Sequence, residues 1–219
     1  SEKRGHGWSG LPVLGPMARN VPDAALLFSA MASDDAMDPL AYTLPGQPVR
    51  GVAQMWHPLV PIDLSSLRLA VSVDFGQAPV ETHIREVFAG RAQAVAKLFG
   101  GAEEANPDWQ HFFDRHDILI TPAITISPRP WKELYPAEID GKPTRTYFHW
   151  LACAYYVTLC GHPAISLPMG VDARGMPFGL QIVGPRGGDA LVLRVAAAIE
   201  EAFAHDPVLR RPVPDLAAL

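Results

Sequence analysis

Apolar and polar positions repeat along this chain at two periods, one helical and one of extended strands. Leu11 to Arg19 reads as a loop. Asn20, followed three residues later by Asp23, has the pattern of a capping box, and Ala24, Leu27, Phe28 and Met31 then recur at helical spacing. Leu67, Leu69, Val71 and Val73 alternate with polar or small residues, the period of a half-buried strand ending at Asp74 to Gly76. From Val80 to Phe99 the positions Val80, Ile84, Val87, Phe88, Arg91, Val95, Leu98 and Phe99 fall mostly on one stripe, and Gly100 and Gly101 stop the helix. A short helix is predicted over 107–115. Asp117 to Pro122 is an apolar run bounded by turn residues, as in a strand covered on both faces. Tyr147 to Leu159 is apolar and aromatic all round, which predicts a buried helix. Ala164–Leu167 and Gly179–Val183 read as core strands, with a hairpin-like turn at Asp172–Met176. Asp189 is the expected cap of a last helix bearing Leu191, Val195, Ile199 and Phe203 on one face. Strands mixed with long helices predict an α/β body.

Composition changes this picture in one respect. The 219 residues contain 22 prolines and 18 glycines, about half as many again as the ~12% of average proteins. Five prolines fall within 34–66 and five within 122–146, so both segments read as long irregular connections. No internal repeat is present, and the whole chain reads as a single domain. Hydrophobic residues make up 48%, enough for a core, and charged residues only 19%, which argues against disorder. A net charge of −5 offers no basic face for nucleic acid and no polybasic stripe for a membrane. No apolar run approaches the ~20 residues that span a bilayer, and residues 1–10 have no apolar signal core. The expectation is a soluble, cytoplasmic protein. Two cysteines exclude a disulfide framework and a cysteine-based zinc site.

The chemistry-bearing residues form no convincing centre. No strand-turn-helix serine elbow occurs; Gly7 to Gly10 has the wrong spacing, and Ser166 lies in an apolar strand where a buried, backbone-satisfied hydroxyl is expected. The eight histidines are scattered. His111 and His116 are five apart, off a shared helical face, so no metal site is expected there. His162 reads as a turn residue with a backbone partner, and His149 as a packed residue among aromatics. Cys153 and Cys160, on one apolar helix, read as inert buried thiols. Gly184 to Asp189 precedes a helix but lacks the lysine and hydroxyl of a phosphate loop, so a turn and a helix start account for it. Lys3, Lys97, Lys132 and Lys142 are the only lysines, none in apolar surroundings that would lower its pKa.

Five segments in order, taken together, resemble the amidase signature family. They are Gly15 to Leu27, reading GPMARNVPDAALL; Asp117 to Pro122, reading DILITP; Gly161 to Pro168, reading GHPAISLP; Gly175 to Gly184, reading GMPFGLQIVG; and the final helix from Leu191 to Glu200. The resemblance implies amide hydrolysis or a relationship to the A subunit of glutamine-dependent amidotransferases. It implies a serine nucleophile, a second serine on a cis peptide and a lysine base, with backbone amides holding the oxyanion. It implies an α/β fold with a mixed sheet covered by helices on both faces, a small-molecule amide substrate, and no cofactor or metal. The sequence departs from the family at two places. The glycine- and serine-rich loop with both serines, and the lysine upstream of it, have no counterpart here. The stretch between Gly101 and Asp117 is also short. The chain therefore reads as residues 1–219 of one partial amidase-signature domain, the C-terminal part, inactive alone and without catalytic residues of its own.

In glutamine-handling members of the family an acidic residue holds the substrate's amino group about ten positions before the glycine matched by Gly161. Here that neighbourhood holds Tyr147, Trp150 and Leu151, so the resemblance makes these three the substrate-binding candidates and implies an apolar or aromatic amide. Packing within a helix core is the alternative for all three. The competing function is a stand-alone, non-catalytic binding domain derived from an amidase. Loss of neighbouring strands would leave apolar faces and edges uncovered, and a homodimer could cover them.

Overall fold

The computed structural model describes residues 13–32 and 57–215. Gly7–Gly10 and residues 34–56 of the first proline-rich segment lie outside the described residues. Helix α1 spans Val21–Met31. The Asn20 side chain accepts the Asp23 N–H at 2.7 Å, as the sequence predicts, but the Asp23 carboxylate returns to the Asn20 side-chain amide and not to its backbone. The Val21 N–H goes instead to Glu200, at 2.9 Å. Burial on α1 is confined to Val21, Ala24 and Ala25, while Leu27 and Met31 of the expected stripe are exposed. The helix packs against the last helix, and Phe28 lies half-buried against the core.

Strand β1 is Leu69–Val71, shorter than the alternation over 67–73 predicts. Ala70 is buried as well as Leu69, because β1 lies inside a parallel pairing between β2 (Glu103–Glu104) and β3 (Ile118–Pro122). Ser72 leaves the strand pattern to serve a turn, bonding Asn106 and accepting the Phe75 N–H. Helix α2, Thr82–Leu98, buries Ile84, Phe88, Ala92 and Val95 on the predicted stripe. The expected helix over 107–115 shrinks to a single turn, α3, Phe112–Arg115. Every residue of β3 is buried, as expected for its apolar run. The segment 122–146 is not all loop. Strands β4 (Glu138–Ile139) and β5 (Lys142–Pro143) form a hairpin whose two turn residues, Asp140 and Gly141, both have positive φ.

The helix expected over 147–159 begins later. A 3-10 turn, His149–Leu151, leads into α4, Ala152–Cys160. Only Ala152, Cys153 and Val157 of α4 are buried; Phe148 and Leu159 are exposed, so the segment is not covered all round. Strands β6 (Ala164–Val171) and β7 (Pro177–Val183) form the predicted hairpin, with a bulge between Pro168 and Val171. Helix α5, Asp189–Ala202, buries Val192, Leu193, Val195, Ala196 and Ile199. Gly188 is its cap and Asp189 sits in the first turn without a capping bond; partial burial there raises the pKa of its carboxyl.

The sheet runs β2-β1-β3-β7-β6, parallel through β2, β1 and β3 and antiparallel through β7 and β6. Register places Thr121, Gln181 and Ser166 in one row across it. Helix α4 covers that face: Gln181 donates to Thr121 Oγ1 at 2.9 Å and to the Cys153 carbonyl at 3.0 Å. Helices α2 and α5 pack on the sheet from the other side, where Leu167 and Met169 are buried. At β6 the first face is open. Ala164, Ser166 and Pro168 are exposed, on a strand that is also the sheet edge.

Two polar fixtures set the geometry. Arg68 grips Asp117 through its backbone N–H, Nε and Nη2 at 2.8–3.0 Å, aligning the starts of β1 and β3. The hydrogen bond from Arg68 holds the Asp117 carboxyl below its ordinary pKa. On α2, Arg91 donates to the Met169 and Val171 carbonyls, and His83 meets Asp172 at 2.8 Å, so the helix holds the β6–β7 hairpin at its bulge and its turn.

Candidate binding site

The second proline-rich segment is anchored at four points. Ala123 N–H bonds the Gly179 carbonyl at 3.0 Å. The Thr125 hydroxyl donates to the Trp150 carbonyl. Ser127 gives its N–H and its hydroxyl to the Glu81 carboxylate, at 2.7 and 2.6 Å. Asp140 accepts the N–H and hydroxyl of Thr82, at 2.7 and 2.8 Å. These anchors fold 124–136 over Trp150 and shape a half-open cavity of about 240 Å³. Its apolar lining is Ile124, Ile126, Trp131, Leu134, Tyr135 and Trp150. Glu133 and Arg129 also reach it, but they pair with each other. The cavity therefore holds no unpaired carboxylate for an ammonium group.

Of the three residues expected to bind substrate, Trp150 lines this cavity. Its indole N–H is buried and has no acceptor among the described residues. Tyr147 stands edge-on to Trp150 and to Tyr135, with ring centroids 6.1 Å apart in each case. Leu151 follows Trp150 in the 3-10 turn, half buried, and is not part of the lining. The residues that sequence reasoning missed are Ile124, Ile126, Trp131, Leu134 and Tyr135. They lie at no regular period among prolines, and Trp131, 89% exposed, gives no sign of a pocket in its spacing.

The other candidates are accounted for by packing. His162 Nδ1 lies 3.1 Å from the Gly184 carbonyl and donates to it, and the ring lies against Trp109 and Phe113. Burial lowers its pKa. His116 is buried between the Phe112 carbonyl and Glu103, and His111 is exposed beside Asp114. His149 accepts the Arg145 N–H. Among the described residues no group of three or more His, Cys, Asp or Glu could hold a metal ion. Cys153 is buried and its thiol is pushed up to about 12, while Cys160 is raised in the same direction. Ser166 is exposed, not buried as its apolar neighbours predict, because β6 has no cover on that face. Lys97, Lys132 and Lys142 are exposed, and Lys3 lies outside the described residues. Among the described residues no serine or cysteine is hydrogen-bonded to a histidine or lysine. No described helix is long and apolar enough to cross a membrane.

Comparison with known proteins follows the same lines. The Amidase family model matches residues 101–193. The acylamidase of Rhodococcus erythropolis is 23% identical over 252 residues, taking in 85% of this chain and 51% of that protein. That alignment is longer than this chain, so the acylamidase holds internal residues with no counterpart here. The fatty acid amide hydrolase of Medicago truncatula is 37% identical over 107 residues, 48% of this chain and 17% of that protein. Among solved structures, a bacterial aryl acylamidase of the amidase signature enzymes superposes with a TM-score of 0.74 at 20% identity, over 91% of this chain and 55% of its own. The chain spans about half the length of the acylamidases it matches.

Proposed function

We propose that this chain, whose residues 101–193 match the Amidase family model and whose fold is that of the amidase-signature enzymes, is the C-terminal portion of an amide hydrolase. It supplies the wall of a substrate pocket, and the serines and lysine that break the amide bond belong to polypeptide other than these 219 residues. The observation that carries this reading is the cavity over Trp150: its lining is largely apolar, and its one carboxylate, Glu133, is paired with Arg129. The rings of Tyr135 and Trp150, with Ile124 and Leu134 beside them, would hold an apolar or aryl group. Trp150 is then the contact residue, Tyr147 backs it edge-on from outside the lining, and Leu151 supports the turn that presents it. A glutamine substrate, with its ammonium, finds no partner here.

Alone, the chain is expected to be inactive. Incubating the purified protein with an aryl acylamide such as 4-nitroacetanilide should release no nitroaniline above the buffer rate. Hydrolysis that a serine-directed reagent abolishes would overturn the proposal. The open face and free edge of β6 support a second reading, a non-catalytic domain that works by covering this strand with a partner or a second copy. Sedimentation of the isolated chain separates the two: a dimer supports the second reading, and a monodisperse monomer removes it.

A further inference from the structure

A second, larger concavity lies away from the Trp150 cavity, between the start of α1, the end of α5, the bulge of β6 and the segment 207–213. Its volume is about 550 Å³. Three arginines are among its lining residues, Arg19, Arg210 and Arg211. Among the described residues none of the three has an ion-pair or hydrogen-bond partner on its side chain. The opposing charge in the lining is Glu200, whose carboxylate is occupied by the Val21 N–H. The balance is three positive groups to one negative, in a chain whose net charge is −5.

The arginines are carried on fixed backbone. Asp206 accepts the N–H groups of Val208 and Leu209, at 2.8 and 2.9 Å, and its carbonyl accepts that of Arg210 at 3.1 Å. The Leu209 side chain is buried in the core. Val208 crosses so close to Gly170 that a Cβ there would lie 1.8 Å from the Val208 carbonyl oxygen. Arg210 and Arg211 follow directly from this pinned stretch, opposite Arg19 on the turn that caps α1. The N–H groups of the first turn of α1 are already spent on Glu200 and Asn20, so recognition falls to the guanidinium groups themselves.

We propose that this concavity binds a small molecule bearing two or more anionic groups, phosphate or carboxylate. Planar guanidinium forks match both kinds of oxyanion, and converging forks on a fixed frame favour a multivalent anion over a single charge. The site is separate from the Trp150 cavity, so its test does not depend on amide hydrolysis.

The test is isothermal titration of the purified chain with pyrophosphate, and separately with citrate, at low ionic strength. Saturable binding with a Kd below about 1 mM is expected for at least one of them, weakening as salt is added. Whichever binds more tightly identifies the anionic chemistry. Arg210→Ala with Arg211→Ala should weaken that binding about tenfold or more, and Arg19→Ala should do so independently. These side chains are exposed, so each variant should keep the parent's thermal melting profile. No saturable binding by either anion, or binding that the substitutions leave unchanged in proteins that melt normally, would overturn the proposal.

Discussion

The tight crossing at Gly170 makes a quantitative prediction. Its φ is +74°, and a methyl group would meet the Val208 carbonyl oxygen at 1.8 Å where ordinary contact begins near 3.4 Å. Gly170→Ala therefore incurs two costs. The left-handed backbone costs an L-residue roughly 1 kcal/mol. The clash also moves the Val208 backbone by more than an ångström, which draws Leu209 from the core; half to full loss of its burial is worth roughly 1–3 kcal/mol. The sum is about 3 kcal/mol. Gly175→Ala is the control. Gly175 has φ +76°, but nothing lies within 4 Å of the point where a Cβ would stand, so only the backbone cost of roughly 1 kcal/mol applies. Urea unfolding measures both. With a slope of roughly 2 kcal/mol/M, the Gly170 variant should lose about 1 M more in midpoint than the Gly175 variant. Equal midpoints would show that segment 207–213 does not press on β6 and would refute the packing described for it.

Three further outcomes follow from buried or charged groups. Gln181→Ala removes the donor shared by Thr121 and the Cys153 carbonyl and leaves a cavity between α4 and the sheet, so urea unfolding should show a loss of roughly 2–4 kcal/mol. The Cys153 thiol, pushed up to about 12, should resist iodoacetamide at pH 8 in the native protein and react once urea unfolds it, as read by peptide mass; rapid native labelling would contradict its burial. The folded-state pKa of Asp117 is depressed by Arg68, so the pair's contribution is present above the unfolded value near 4 and is lost as pH falls through the lower folded value. The stability gap between the parent and Asp117→Asn should therefore narrow as pH falls below about 4 in denaturant titrations.

What the sequence revealed followed the reach of each signal. The run Ile118 to Thr121 and the stripe Ile84, Phe88, Val95 are local patterns with one physical solution each, and both elements form where expected. The hairpin at Asp140-Gly141 carried a legible turn signal, but strands of two residues flank it and prolines surround it, so no alternation announced them. Long-range caps were invisible. Glu200 completes the first turn of α1 from 179 positions away, and Asp140 completes that of α2 from 58. Trp150 stood out because the resemblance places a substrate contact about ten positions before Gly161. Its partners in the cavity did not, since the fold brings Ile124 to Tyr135 across from it through anchors at Ser127 and Thr125 that leave no periodic trace. The exposure of Ser166 was equally hidden, because local hydrophobicity says nothing about whether a neighbouring layer is present.

The opening turn of α2 touches both ends of the loop that roofs the Trp150 cavity: Glu81 holds Ser127 on one side, and Thr82 is held by Asp140 on the other. Any molecule that steadies the roof must also steady these two carboxylate contacts. The amide protons at the head of α2 should then exchange with deuterium more slowly when the cavity is filled, which turns a helix end into a built-in gauge of occupancy that needs no catalytic turnover.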